Sequence, residues 1–161
     1  MIKHYNQPSL GFTLIEILVV MVIMGIVASL VVFNITLPGY YKFKSQVEVV
    51  SNTLSMISDQ AIYSGKTIVC KVEQNNLVCK QYIDEDWVNL DIDRIISWKW
   101  PPENIIFKQL KIEGLNSPIG SNLVFVPSGD NAKMSMRITS LDGKFSSWID
   151  SDLLGRYNIS N

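Results

Sequence analysis

The sequence predicts an α+β protein in which one long N-terminal helix precedes a β-rich head. Three observations support this fold class. Residues 12–33 form an apolar run, residues 43–64 carry an apolar stripe at helical spacing, and short β-branched and aromatic segments follow Gly65. Helical and strand patterns that occupy separate parts of a chain are typical of α+β folds. We therefore expect a long helix docked on an antiparallel head.

The composition excludes several classes of function. The chain has 14 Lys and Arg against 15 Asp and Glu, so the basic excess typical of nucleic-acid-binding proteins is missing. It contains one histidine, His4, which rules out a His-based catalytic triad or a multi-histidine metal site within the chain. No phosphate-binding glycine loop follows a predicted strand. We expect no enzymatic activity, no cofactor, no metal site and no nucleic-acid partner.

The first predicted element is an apolar helix with a single charge. Residues 12–33 are 22 residues long, and Glu16 is the only charged residue among them. This length suits a bilayer span of about 20 residues better than the apolar core of a cleaved secretory signal, which has about 7 to 15. A plain membrane anchor is the simplest interpretation. A carboxylate inside a membrane costs roughly 2.5 to 3.5 kcal/mol, so Glu16 needs a partner or must reach the headgroups.

The second predicted element is an amphipathic helix over residues 36–65. Pro38 and Gly39 interrupt the apolar run, and a helical pattern resumes directly after them. Gly65 stands where a helix C-cap is expected. We expect one apolar face to dock on a sheet, while polar residues such as Ser51 lie mainly away from it. The residues of the apolar face are Phe43, Val47, Val50, Leu54, Ile57, Ala61 and Ser64.

The third predicted element, residues 66–161, is an antiparallel β-rich head. Turn sequences such as PPEN, PSGDN and LDGK separate seven short strand-like segments. In one of them, RIISWKW, alternation places Trp98 and Trp100 on the same side of a strand, as core or interface residues in preference to a ligand platform. The acidic stretches DEDWVNLDID and DSD lack the spacing of an EF-hand loop, so we interpret them as solvated loops. The seven segments are KTIVCKV, NLVCKQYI, RIISWKW, NIIFKQLKI, NLVFVP, KMSMRITS and FSSWID.

The two cysteines lie in a segment that alternates like a β-hairpin, TIVCKVEQNNLVCK. If EQNN is the loop, Cys70 faces Cys79, and both thiols point to the side of Val72 and Leu77. Facing cysteines on paired strands can form a disulfide, provided that the head reaches an oxidising compartment. The alternative is a pair of free, buried thiols, because cysteine behaves as a small apolar side chain.

The N-terminal sequence GFTLIE resembles the class III signal of type IV pilins and type II secretion pseudopilins. A short polar leader containing Lys3 ends in Gly11, and Glu16 is the fifth residue after that glycine. The resemblance implies that a prepilin peptidase removes residues 1–11, cutting between Gly11 and Phe12, and that Phe12 is N-methylated. It also implies that Glu16 pairs with the N-terminal amine of a neighbouring subunit. Such a pair offsets the desolvation of two charges and fixes the axial register of otherwise apolar helices.

The head resembles the GspH/FimT group of the type IV pilin-like superfamily. NTLSMISDQAIYSGKTIVC resembles that group's junction between helix and first strand, and LVFVPSGD with MRITSLDGKFSSWIDSDLLGRYNI resembles its closing strands. The resemblance implies a pilin-like fold. Its parts are a leader over 1–11, a transmembrane and assembly helix over 12–35, an amphipathic continuation over 36–65 and a periplasmic head over 66–161. The DEDWVNLDID segment departs from the group, so the resemblance implies nothing about it.

The function that this resemblance implies is that of a minor pseudopilin of a type II protein secretion system. It would be a single-pass protein of the bacterial inner membrane that assembles at or near the tip of the periplasmic pseudopilus and assists the export of folded proteins. Its implied partners are other major and minor pseudopilins, prepilin peptidase, the inner-membrane assembly platform, the inner membrane and secreted substrates.

Two alternatives remain at the level of sequence. One is a minor type IV pilin of the FimT/FimU type, which serves adhesion, motility or DNA uptake. The other is a signal-anchored periplasmic binding protein that never joins a filament. DNA uptake would favour a basic tail, whereas the C-terminal sequence LLGRYNISN contains Arg156 as its only basic residue.

Overall fold

The computed structural model of the protein describes residues 13–35, 37–152 and 155–160. Within the two helices, it describes the side chains of residues 14–27 and 39–64. The chain forms two compact units, Met1–Gly39 and Tyr40–Asn161. The first unit contains helix α1, Leu14–Ile35, and the second contains the head and most of helix α2, Leu37–Ser64.

Helix α1 carries apolar side chains on all of its sides. Apart from Glu16, the side chains from Leu14 to Val27 are apolar, and all of these positions are exposed in the single chain. A helix with this pattern has no polar face to turn toward water. Within the described residues, no helix has the length and apolar character that crossing a membrane requires.

Helix α2 begins at Leu37 and continues through Pro38 and Gly39, the residues predicted to interrupt the helix. Both residues lie in its first turn, which tolerates proline because the backbone N–H there needs no helical partner. The end of α2 confirms the predicted cap. Gly65 has a φ of 65°, its N–H donates to the Ile62 carbonyl at 3.2 Å, and the Lys66 N–H donates to the Ala61 carbonyl at 3.3 Å. These two bonds are the Schellman pattern.

The predicted apolar face of α2 is buried, with one correction on the opposite side. The six apolar residues from Phe43 to Ala61 are at most 4% exposed, and Ser64 is half-buried. Ser51 was predicted to lie away from the core, but it is 6% exposed and its hydroxyl donates to the Tyr157 carbonyl at 3.3 Å. The C-terminal part of the chain covers this second side of α2, where small hydroxyl side chains allow close approach and still form hydrogen bonds.

In the part of the chain that the structure describes, nine strands form two antiparallel sheets. Their order is β3-β2-β1-β6 in the four-stranded sheet and β5-β4-β7-β8-β9 in the five-stranded sheet. Along β7, for example, Met134, Met136 and Ile138 alternate into the core. The strands are β1 Ile68–Val72, β2 Leu77–Ile83, β3 Asp86–Asn89, β4 Ile105–Ile112, β5 Leu115–Ser117, β6 Asn122–Phe125, β7 Met134–Ser140, β8 Ser146–Ser151 and β9 Tyr157–Ser160.

One hydrophobic core joins α2 to both sheets. Its largest fully buried side chains include Leu54 of α2, Phe125 of the four-stranded sheet and Phe107 of the five-stranded sheet. The Phe107 N–H also donates to the Gln74 carbonyl in the β1–β2 loop at 2.8 Å. The two sheets are therefore connected by backbone hydrogen bonding as well as by side-chain packing.

The RIISWKW segment is not a strand, contrary to the prediction. A short 3-10 helix, Ile92–Arg94, ends at the first residue of the segment, and no strand is assigned between Asn89 and Ile105. The tryptophans are held by side-chain hydrogen bonds instead of a strand ladder. The Trp98 indole donates to Thr53 Oγ1 at 3.0 Å, and the Trp100 indole donates to Asn76 Oδ1 at 2.8 Å. Both rings pack against the core, which agrees with the predicted structural role of these residues.

Candidate assembly site

The predicted assembly site is the N-terminal end of α1. Gly11 and Phe12, the predicted cleavage and methylation positions, lie outside the described residues, as does the predicted leader 1–11. Glu16 lies in the first turn of α1 and is exposed. The structure therefore describes only the carboxylate member of the predicted pair.

Thr13 begins the helix that carries Glu16. The Thr13 carbonyl accepts hydrogen bonds from the N–H groups of Glu16 at 3.1 Å and Ile17 at 3.4 Å. Thr-x-x-Glu is the sequence pattern of a capping box, and a carboxylate in the first turn is also favoured by the helix dipole. This role of Thr13 was not predicted, although the TLIE tetrapeptide contains the signal. Glu16 thus occupies a position at which a helix tolerates a negative charge well.

Beyond Glu16, the described side chains of α1 are apolar. A shallow groove follows one side of the helix over two turns, and its residues are spaced three or four apart. That spacing matches the ridges and grooves through which helices pack on one another. Glu16 is the only charged side chain among residues 13–27, so it alone can distinguish one axial register from another. The groove residues are Leu14, Ile17, Leu18, Met21 and Val22.

The two cysteines are joined on the hairpin of β1 and β2. The strand register pairs Cys70 with Cys79 and Val72 with Leu77, and a disulfide connects the two sulfur atoms. Both cysteines face the core and are at most 2% exposed. The bond therefore links the two strands on the side that faces the core.

The acidic stretches of the head are engaged in local structure. Asp84 and Glu85 form the two-residue turn between β2 and β3, with φ values of 48° and 73°. Asp150 accepts a hydrogen bond from the Ser160 hydroxyl at 3.0 Å, and Asp152 accepts from the Arg156 guanidinium at 2.8 Å. Among the described residues, no group of three or more His, Cys, Asp or Glu side chains is arranged to hold a metal ion.

Shifted pKa values in the described head have structural causes. Burial raises the pKa of the Tyr157 hydroxyl. The hydrogen bond from Lys99 lowers the pKa of Glu103, and the hydrogen bond from the Ser140 hydroxyl lowers that of Asp142. Both carboxylates are exposed, and each forms these bonds with residues two to four positions away along the chain.

Comparisons with known proteins find one sequence motif near the N-terminus and a likeness in fold. Residues 7–32 match the prokaryotic N-terminal methylation motif. No curated protein matches the sequence. Two structures of the minor pseudopilin EpsH from the type 2 secretion system of Vibrio cholerae are similar in fold. One aligns with a TM-score of 0.55 and 15% identity over 73% of this chain and 95% of that one. The other aligns with a TM-score of 0.56 and 14% identity over 74% and 93%.

These findings concern the N-terminal segment and the fold of the chain. The motif covers Glu16 and α1 as far as residue 32, and the similarity in fold extends over most of the chain. The chain therefore carries a prokaryotic N-terminal methylation motif and has the pilin-like α+β fold, with a long helix packed on antiparallel sheets as in EpsH.

Proposed function

We propose that this protein is a minor pseudopilin of a type II protein secretion system, which assembles at or near the tip of the periplasmic pseudopilus and assists the export of folded proteins. The observation that carries the proposal is the presence, in one chain, of the N-terminal methylation motif and a head with the fold of EpsH. The protein acts through its surfaces and catalyses no reaction. No observation on the head specifically favours the minor type IV pilin.

Maturation is the first step of the proposed function. Prepilin peptidase cuts between Gly11 and Phe12 and removes the leader 1–11, and the new amine of Phe12 is methylated. Residues 12–35 anchor the chain in the inner membrane, and the head lies in the periplasm. Positive charge in the leader, at Lys3, favours this orientation.

Assembly depends on Glu16 in this proposal. An all-apolar helix packs equally well on its neighbours at several axial positions, because apolar contacts are not directional. The carboxylate removes this degeneracy by pairing with the cationic amine of Phe12 on an adjacent subunit. In a site poor in water, a wrong register leaves both charges without a partner, which is costly. The same pair helps to draw the helix out of the membrane when the fibre grows.

The head supplies the remaining contacts of the proposed fibre. Its core is closed by α2 and two sheets, so its surface can be presented to other major and minor pseudopilins without rearrangement. The inner-membrane assembly platform and the secreted substrates are the other proposed partners. A buried disulfide between Cys70 and Cys79 is consistent with an oxidising compartment such as the periplasm.

Deletion of the gene tests the proposed function against its rival. We expect folded proteins that normally reach the medium to accumulate in the periplasm, while twitching motility and DNA uptake stay unchanged. Plasmid-borne wild-type protein should restore export. Normal export combined with lost motility or lost DNA uptake would contradict the proposal and favour a minor type IV pilin.

A further inference from the structure

One end of the head is built from the first turns of α2 and the turn between β7 and β8. The Tyr40 ring lies 5.7 Å from the Phe145 ring in an edge-to-face arrangement, and the Phe43 ring lies 5.9 Å from Phe145 in a stacked one. Such aromatic pairs add to the energy of burial and fix the turn against the helix. The exposed tip of this turn, residues 141–144, is therefore held beside the start of α2.

A third segment, residues 99–104, completes the same end. The Glu103 N–H donates to Gln46 Oε1 of α2 at 2.9 Å, and the Leu141 N–H donates to the Asn104 carbonyl at 3.1 Å. This segment thus contacts both the helix and the turn. We name the surface formed by residues 40–46, 99–104 and 141–145 the basal surface.

The basal surface is cationic although the chain as a whole is not. Its three segments contain four lysines against two acids, a net charge of +2, whereas the whole chain has a net charge of −1. Lys99 pairs with Glu103, and Lys144 pairs with Asp142 at 3.4 Å. The two remaining lysines, at positions 42 and 44, are exposed on α2 and provide the excess positive charge.

Exposed apolar side chains accompany these charges. Tyr41 and Leu141 are each 61% exposed, and they lie on different segments of the basal surface. Aromatic side chains and lysines together are typical of protein surfaces at the boundary between membrane and water. Anionic headgroups attract lysines, while the ring of a tyrosine partitions into the interfacial layer.

The covalent chain places this surface close to the predicted membrane segment. The apolar run ends at Phe33, and seven residues later the basal surface begins at Tyr40. Seven residues span at most about 25 Å even when fully extended. If residues 12–33 lie in the bilayer, the basal surface stays within reach of the headgroups before the subunit leaves the membrane.

We propose that the basal surface binds the anionic surface of the bilayer and holds the head on the membrane before assembly. This inference rests on the membrane anchoring in the proposed function and adds a lipid-binding role for the head itself. Lys42 and Lys44 attract the headgroups, and Tyr41 and Leu141 enter the interface. Entry into the fibre must then break this contact, so the lipid surface competes with neighbouring subunits.

The test uses the full chain in vesicles, with a nitroxide label at Ser45→Cys on the exposed side of α2 near the basal surface. The matched control label is Tyr63→Cys, about 27 Å further along the same helix at an 89% exposed position. The native cysteines do not react, because they are buried and joined. Vesicles contain phosphatidylcholine alone or with about one-third phosphatidylglycerol, and the readout is protection from a water-soluble paramagnetic reagent.

We expect protection of the Ser45→Cys label in the anionic vesicles only, and none at Tyr63→Cys in either composition. The variant Lys42→Gln with Lys44→Gln should lower the ratio of docked to undocked head about 25-fold, since each lysine near an anionic surface contributes about fivefold. The matched variant Lys71→Gln with Lys80→Gln, which removes two exposed lysines from the four-stranded sheet, should not change it.

Three results would overturn the inference. The first is a chain that co-floats with the vesicles in a density gradient while the Ser45→Cys label stays accessible to the reagent in both lipid compositions. Such a chain has a membrane anchor but no lipid-binding head. Protection that requires a high ratio of protein to lipid identifies a second copy of the chain as the occupant. A chain that floats with neither composition overturns the proposed anchoring and the lipid binding with it.

Discussion

Removal of the disulfide should cost the head a large part of its stability. The perturbation is Cys70→Ala together with Cys79→Ala, which opens a covalent loop between residues nine apart. Closing a loop of this size lowers the entropy of the unfolded chain by the equivalent of roughly 2.5 to 3 kcal/mol. Both side chains are at most 2% exposed, so loss of two buried sulfur atoms adds about 1 to 2 kcal/mol in packing. The expected total is about 4 kcal/mol.

The assay is unfolding of the full chain in detergent micelles, followed by tryptophan fluorescence during heating. A loss of about 4 kcal/mol corresponds to a fall of about 8 to 16 °C in the midpoint for a chain of this length. The matched control is Val69→Ala with Val78→Ala, which alters the outward side of the same two strands and should cost less. Reductant should lower the midpoint of the wild type but leave the double cysteine variant unchanged. Equal midpoints for the cysteine variant and the control, or alkylation of native thiols without reduction, would refute the reasoning.

Three further predictions concern the core, the surface charges and the N-terminus. Leu54→Ala should reduce the free energy of unfolding, measured by denaturant titration, by about 2 to 5 kcal/mol because the side chain is fully buried. The control Met56→Ala, at a position 36% exposed, should cost less than half as much. The pKa of Glu103 is lowered by its hydrogen bond from Lys99, so NMR titration should give a midpoint below the ordinary glutamate value, and Lys99→Met should raise it. Because the folded-state pKa is the lower one, this pair stabilises the fold above the ordinary pKa and its contribution disappears as the pH falls through the lowered value. Mass spectrometry of protein from native cells should show Phe12 as the first residue with one methyl group, and an intact N-terminal leader would contradict this.

Much of the fold is encoded in local patterns and could be predicted. The stripe on α2 has helical spacing because one face must dock on the sheets, and Gly65 ends the helix because it adopts a positive φ at low cost. The hairpin register that pairs Cys70 with Cys79 depends only on the length of its loop and on alternation. Each of these features is determined by residues that are close in sequence.

The errors arise where long-range contacts decide the structure. RIISWKW has the composition of a strand, but Trp98 has its hydrogen-bond partner on α2 and Trp100 has its partner in the β1–β2 loop. Three strands, β3, β5 and β9, were not among the seven predicted segments. They are short edge strands with mostly exposed residues, so they lack the alternation that marks a half-buried strand. Ser51 is buried because the distant Tyr157 segment covers it.

The assembly site and the basal surface also differ in how far the sequence alone predicts them. The assembly motif could be found from sequence because Gly11, Phe12 and Glu16 are adjacent in the chain, yet the proposed partner of Glu16 belongs to another subunit, so a single chain cannot display the pair. The basal surface could not be predicted, since its three segments are brought together only by the packing of the head.

The central claim is that Glu16 joins this subunit to its neighbours through the amine of a processed N-terminus. The most direct measurement is the yield of disulfide crosslinks in cells between an engineered cysteine at Met21 of this chain and engineered cysteines on a co-expressed partner pseudopilin. Loss of one member of a poorly hydrated ion pair costs about 3 to 5 kcal/mol, so Glu16→Ala and Glu16→Gln should each lower the yield more than tenfold, while Glu16→Asp keeps a substantial part of it. Head folding and removal of the leader should be unchanged in all three variants. A wild-type yield for Glu16→Ala would contradict the account and reduce Glu16 to a helix-capping residue.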